Sequence, residues 1–192
     1  MLNKINNQAI LAFDKLAKEN YTIYSLSGQG LSDTVTNKNI STNESLKIAL
    51  KFNDFIRFKA EYPNNFFYSN YLNDGTYLPY FKYNNEKVII QILVPTNDET
   101  YKKVNKKKLY TMLTNEPVRF DYFIKDKSIS IGYVVDSIYN KKPEFWILLD
   151  DVVNNYLKEI DYINFDRYET IEIEGHKYPY LDEIIKAYNK KT

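Results

Sequence analysis

The sequence predicts an α+β fold: a mainly antiparallel sheet built from hairpins, with flanking N-terminal, central and C-terminal helices. Three observations carry this reading. Several segments alternate apolar and polar residues at period two and are joined by turn signals. Other segments, near both ends and at the middle, place apolar residues at helical spacing. The six prolines, at 63, 79, 95, 117, 143 and 179, mostly fall at segment boundaries. With 192 residues and no internal repeat or flexible linker, the chain reads as one domain over 1–192, a subdivision near residue 96 being the alternative.

The elements follow in order. Residues 5–19 read as a helix, with Ile5, Ala9, Phe13 and Leu16 on one stripe and Asn20 to end it. Tyr21 to about Ser27 reads as a strand, and the polar residues 28–44 as a long loop. In "SLKIALKFNDFIRFKAEY", Leu46, Ile48, Leu50 and Phe52 alternate, as do Ile56, Phe58, Ala60 and Tyr62. This predicts a strand pair joined through Asn53 to Phe55, which keeps the apolar residues on one face. A further pair is expected at about 77–83 and 87–94. The second of these, "KVIIQILV", is apolar on both faces and so central and covered.

Residues 98–113 read as a helix capped by Thr96 or Asn97. "VRFDYFIKDKSISIGYVV" reads as a hairpin about Asp126-Lys127. "PEFWILLDD" is one more buried strand, and "VVNNYLKEI" a helix with Val152, Val153, Tyr156, Leu157 and Ile160 inward. At the C-terminus, "TIEIEGHKYPYLDEIIKAYNKK" reads as strand, tight turn at Glu174-Gly175, strand and helix. That turn sets Glu172 opposite Lys177 and Ile171 opposite Tyr178. Pro179 is expected to start the helix.

Composition discounts several chemistries. There is no cysteine, hence no disulfide, thiolate nucleophile or Cys-based zinc site. Twenty-six basic residues against 25 acidic ones give no global pull toward nucleic acid or anionic membrane. The N-terminal stretch lacks the unbroken apolar run of a signal peptide, and no run is long enough to span a bilayer, so a cytoplasmic protein without membrane contact is expected. Lysine outnumbers arginine 23 to 3, and Asn, Ile and the 19 tyrosines are abundant. These residues have A/T-rich codons, which points to a low-GC bacterium or its phage.

Gly28-x-Gly30 follows a strand but lacks the third glycine of a dinucleotide turn, Ser32 standing near that position. His176, the one histidine, is expected to be exposed after a turn. Asp150 and Asp151 end a strand before the expected helix, where they would serve as cap or, with Asp136 or Glu144, as ligands of a divalent metal. Lys102, Lys103, Lys106, Lys107 and Lys108 form a lysine face suited to an anionic partner such as nucleic acid.

The densest feature is "FFYSNYLNDGTYLPYFKY", residues 66–83, in which eight of eighteen residues are aromatic and Lys82 is the one cation. A base-stacking platform would need more cations along its path. Tyr77, Phe81 and Tyr83 are expected to pack as structure, and Tyr68, Tyr71 and Tyr80 to be available for contact with a protein. The expected function is therefore a non-catalytic protein-binding module without cofactor. A small inhibitor or accessory protein of a phage or mobile element, acting by surface occlusion, fits this. Nucleic-acid binding through the lysine face and a metal-dependent hydrolase or nuclease built on Asp150 and Asp151 are the alternatives.

Overall fold

In the computed structural model, which describes residues 7–37, 46–68, 78–103, 135–151 and 156–190, the other strands assemble around one long central strand, β5 (Glu86–Thr96). β4 (Pro79–Tyr83) pairs antiparallel with its first half, from Tyr83↔Glu86 to Tyr80↔Ile89, and β3 (Phe66–Tyr68) pairs antiparallel with β4. The turn between β4 and β5 is Asn84-Asn85, with Asn84 at φ 52°, a left-handed conformation that Asn tolerates. The second half of β5 takes β2 (Lys47–Lys51) in parallel and β6 (Phe145–Asp151) in antiparallel. Both meet Ile92 and Leu93, so they lie on opposite edges of β5.

Beyond β2 come β1 (Ser25–Ser27), β9 (His176–Tyr180) and β8 (Glu169–Ile173), and beyond β6 comes β7 (Tyr156–Ile160). Among the described residues six of the eight pairings are antiparallel, β2–β5 and β1–β9 being the parallel ones. The chain is therefore an α+β fold with a mainly antiparallel sheet. β5 is the covered central strand that its sequence predicts.

Strand alternation divides the core in two. On one face Leu26, Ile48, Leu50, Ile90, Ile92, Val94, Ile147 and Leu149 join a large cluster. It is closed by α1 (Asn7–Glu19), through Ile10 and Phe13, and by α3 (Phe52–Glu61), through Phe55 and Phe58. Phe13 meets Phe58, Phe66 and Phe81 edge-on, with ring centroids 6.0, 6.2 and 5.5 Å away. On the other face Ala49, Leu93, Leu148 and Ile160 meet Ile184, Ala187 and Tyr188 of α5 (Asp182–Asn189).

Helix ends are satisfied by distant groups. Glu86 Oε2 accepts the Gln8 and Ala9 N–H groups at 3.0 and 3.3 Å, placing a carboxylate at the positive end of α1. Asn20 closes α1, its Nδ2 donating to the Leu16 carbonyl at 2.9 Å. At α5 the Leu181 N–H donates to Ser25 Oγ in β1, at 2.9 Å. The β8–β9 turn has Glu174 at φ 51° and Gly175 at φ 80°, the double left-handed geometry that suits a two-residue hairpin. It sets Glu172 opposite Lys177 and Ile171 opposite Tyr178, as the sequence predicts.

Four expectations are corrected. Residues 29–37 are helical: α2 (Gln29–Asn37) follows β1 where the sequence predicts a loop over 28–44, and 38–44 lie outside the described residues. The expected strand pair at 46–62 is β2 followed by α3. Period-two alternation would expose Phe55, yet Phe55 is fully buried and Ile56 is 40% exposed. Phe52, Phe55 and Phe58 recur at helical spacing, and burying their aromatic area outweighs the alternation.

Residues 156–160 of the expected helix form β7, which fills the free edge of β6 and gives its backbone groups partners. Pro179 does not start a helix; it sits in β9 opposite Thr170, and α5 begins at Asp182. The hairpin expected at 118–135 lies outside the described residues except for Val135, which opens a helical turn over 135–138.

The aromatic cluster sets a stability prediction. Phe13→Ala should lower the unfolding free energy by about 3–5 kcal/mol in a urea titration. Ile56→Ala, on the exposed side of α3, should stay within about 1 kcal/mol of wild type.

Candidate functional site

The aromatic stretch resolves into two faces. Phe66 and Phe81 are buried against Phe13, on the same side of the sheet as α1 and α3. Phe81 is thus structural, as expected. Tyr83 is not: it shares the side of Phe81 but sits at the β4–β5 turn, past the cover of the core, and is 42% exposed. The opposite face carries Phe67, Tyr80 and Ile89, each half-buried, beside the exposed Lys82 and Lys87. Phe67 and Tyr80 are cross-strand neighbours whose rings stack at 5.4 Å and 19°. The Lys87 ammonium lies 5.4 Å from the Tyr80 ring centroid, a cation–π contact. Tyr68 ends β3 opposite Pro79, and its side chain lies outside the described part of the structure. Tyr71 and Tyr77 lie outside the described residues.

The lysine face is only partly described. α4 (Asp98–Lys103) is capped by Asn97, whose Oδ1 accepts the Thr100 N–H at 2.9 Å. Lys102 donates to Asp98 one turn earlier at 2.6 Å, and this contact first, then the Asp98 charge, holds its ammonium above the ordinary pKa. Lys103 ends the described helix, its side chain lying outside the description, and Lys106, Lys107 and Lys108 lie outside the described residues.

Asp150 and Asp151 are both in β6, and the element described after them is the strand β7, not a helix for them to cap. Asp150 belongs to a buried polar cluster on the α5 side of the sheet. At its centre is Gln91, the one polar residue in "VIIQILV", with no exposed surface. Its Oε1 accepts from Ser27 Oγ, also fully buried. Its Nε2 donates to Asp150 Oδ1 and, at 2.6 Å, to the Tyr188 hydroxyl. Lys47 Nζ donates to the same Asp150 oxygen at 2.8 Å, with side chains 27% and 14% exposed. Lys158 Nζ stands 4.3 Å from the Tyr188 ring centroid. Burial first, then the Asp150 charge, drives the Tyr188 ionisation far above its ordinary range.

Chemically this cluster is a pin. Both donors of the Gln91 amide are engaged, and one residue from each of β1, β2, β5, β6 and α5 takes part. Of the carboxylates weighed as metal partners, Glu144 instead accepts the Asp98 N–H at 3.0 Å. Among the described residues no group of three or more His, Asp or Glu side chains converges on a point. His176 is exposed after the turn, as expected. The sequence reading missed Ser27, Lys47, Gln91 and Tyr188. A lone glutamine inside an apolar strand was the available signal.

Comparison with known proteins adds no relative: the chain matches no family model, no curated protein and no solved structure.

Two outcomes test the cluster. Asp150→Ala strands Lys47 and one Gln91 donor, and should cost about 2–3 kcal/mol in urea unfolding; Lys47→Met in the same chain should recover part of that. The second concerns alkali. Tyr188 ionises later in the folded chain than in the unfolded one, which ionises near pH 10. Its contribution is therefore complete below about pH 10 and is lost as pH rises beyond. Urea midpoints taken from pH 8 to 11 should fall more steeply in wild type than in Tyr188→Phe.

Proposed function

We propose that the protein is a binding module that acts on a partner protein by covering its surface, without chemistry of its own. The contact face is the outward side of β3, β4 and the first half of β5. The observation that carries this reading is the Phe67–Tyr80 stack, half-buried on one face with Ile89 and edged by the exposed Lys82 and Lys87. Rigid aromatic area with polar tips and a cationic rim is the composition of protein contact surfaces. Its complement is an apolar patch edged by carboxylates. Tyr68 and Tyr71 belong to this proposal on their sequence alone, since the side chain of the first and the whole of the second lie outside the description.

A small inhibitor or accessory protein working in the cytoplasm, of the kind carried by phages and mobile elements of low-GC bacteria, fits this reading and the composition. Among the described residues no helix is long and apolar enough to cross a membrane. Nucleic-acid binding through lysines 102–108 is the weaker reading, because Lys102 is held by Asp98.

A photo-crosslinking residue at position 80 tests the assignment, with one at Tyr162, 69% exposed on another part of the surface, as control. In lysate of the source cell, position 80 should give a discrete protein adduct that Phe67→Ala removes and position 162 does not form. The same adducts at both positions, or none at position 80, would exclude this face.

A further inference from the structure

A second site lies away from the aromatic face, where the end of α1 and the segment after it meet the β8–β9 hairpin. A cavity of about 350 Å³ opens there, within the range of small-molecule sites. Ile23, Tyr24, Tyr168 and Pro179 give it apolar and aromatic walls. Its polar groups are few and of opposite sign.

Asp14 lines the cavity and is 5% exposed. A carboxylate this deep needs partners, and Asp14 has one firm partner: the buried Tyr24 hydroxyl donates to its Oδ1 at 2.8 Å. The other oxygen accepts from Lys18 at 2.6 Å, but the Lys18 side chain is 66% exposed. The pair is exposed at its lysine end alone, so the Lys18 ammonium can turn out to water when another cation takes its place on the buried carboxylate. A carboxylate offers about four acceptor directions, and these two bonds use two of them. Asp14 can therefore receive an ammonium group without giving up Tyr24. Burial first, then the Asp14 charge, holds Tyr24 in its protonated, donating form.

Across the cavity stand Lys177 of β9 and Thr170 of β8. Among the lining groups Lys18 and Lys177 outnumber Asp14, and Glu172 stands opposite Lys177 on the hairpin. A ligand carrying an ammonium and a carboxylate meets a partner for each. We propose that this cavity binds a small zwitterion, a free α-amino acid with an apolar or aromatic side chain. Its ammonium sits on Asp14, its carboxylate toward Lys177 and Thr170, and its side chain against Tyr168 and Pro179. The proposal does not depend on the aromatic contact face.

The probes are L-phenylalanine, phenethylamine, which lacks the carboxylate, and 3-phenylpropionate, which lacks the ammonium. Titration into the ¹⁵N-labelled full chain should shift the amides of Asp14, Tyr24 and Thr170 saturably. L-phenylalanine should bind at least about tenfold more tightly than either analogue, since each loses a charge-assisted bond. Asp14→Asn should abolish the preference for the ammonium. Lys177→Ala and Tyr168→Ala, at exposed positions, should weaken L-phenylalanine several-fold at unchanged melting temperature, which keeps the test valid if Asp14→Asn fails to fold. An analogue that matches or exceeds L-phenylalanine, or the absence of saturable shifts with L-phenylalanine, overturns the proposal.

Discussion

The Gln91 carboxamide is buried at the middle of the central strand, and each of its polar groups left unmet there would cost about 1–3 kcal/mol. Its partners come from β1, β6 and α5, and Lys47 of β2 joins through Asp150. The apolar pairs around it would tolerate neighbouring registers far better than this amide does. A slip of one residue in β5 would turn Gln91 toward the apolar cluster under α1 and α3. Satisfying one side chain thus fixes which strands adjoin β5, in what register, and where the last helix must lie.

This explains what the sequence could and could not convey. The two-sided apolar character of "KVIIQILV" marks a covered strand by itself, and Glu174-Gly175 marks its turn by itself. Each is a local property, and each matches the structure. Phe52 to Tyr62 is different, because Phe58 and Tyr62 satisfy both a period of two and a helical stripe. Phe55 alone separates the readings, and its burial depends on Phe66, which forms part of the next strand. The stripe of "VVNNYLKEI" likewise suits a helix until the free edge of β6 is in place. The polar cluster joins residues 59, 64, 97 and 103 positions apart, so no spacing rule could bring them together.

The aromatic surplus is sorted by chemistry rather than by position in the chain. Phe13, Phe55, Phe58, Phe66 and Phe81 form the centre of the larger cluster. Tyrosines dominate the large apolar side chains left outside, with Tyr21, Tyr83, Tyr139, Tyr162 and Tyr168 all more than 40% exposed. A phenolic oxygen has to find a partner when buried, and water supplies one at the surface. Two of the buried tyrosines have a partner built in, Asp14 for Tyr24 and Gln91 for Tyr188; the buried Tyr101 hydroxyl has no hydrogen-bond partner among the described residues.

The bond from Leu181 to Ser25 spans 156 residues of sequence, and the cap that Glu86 places on α1 spans 78. On the ribosome the first helix therefore emerges well before the carboxylate that completes it. β1 waits for a parallel neighbour that is made long after it. At about 5–20 residues per second that delay is roughly 8–30 s. Through that interval the apolar stripe of α1 and the edge of β1 are on offer to whatever is near. α1 and β1 are thus the elements most in need of shelter while the chain is being made.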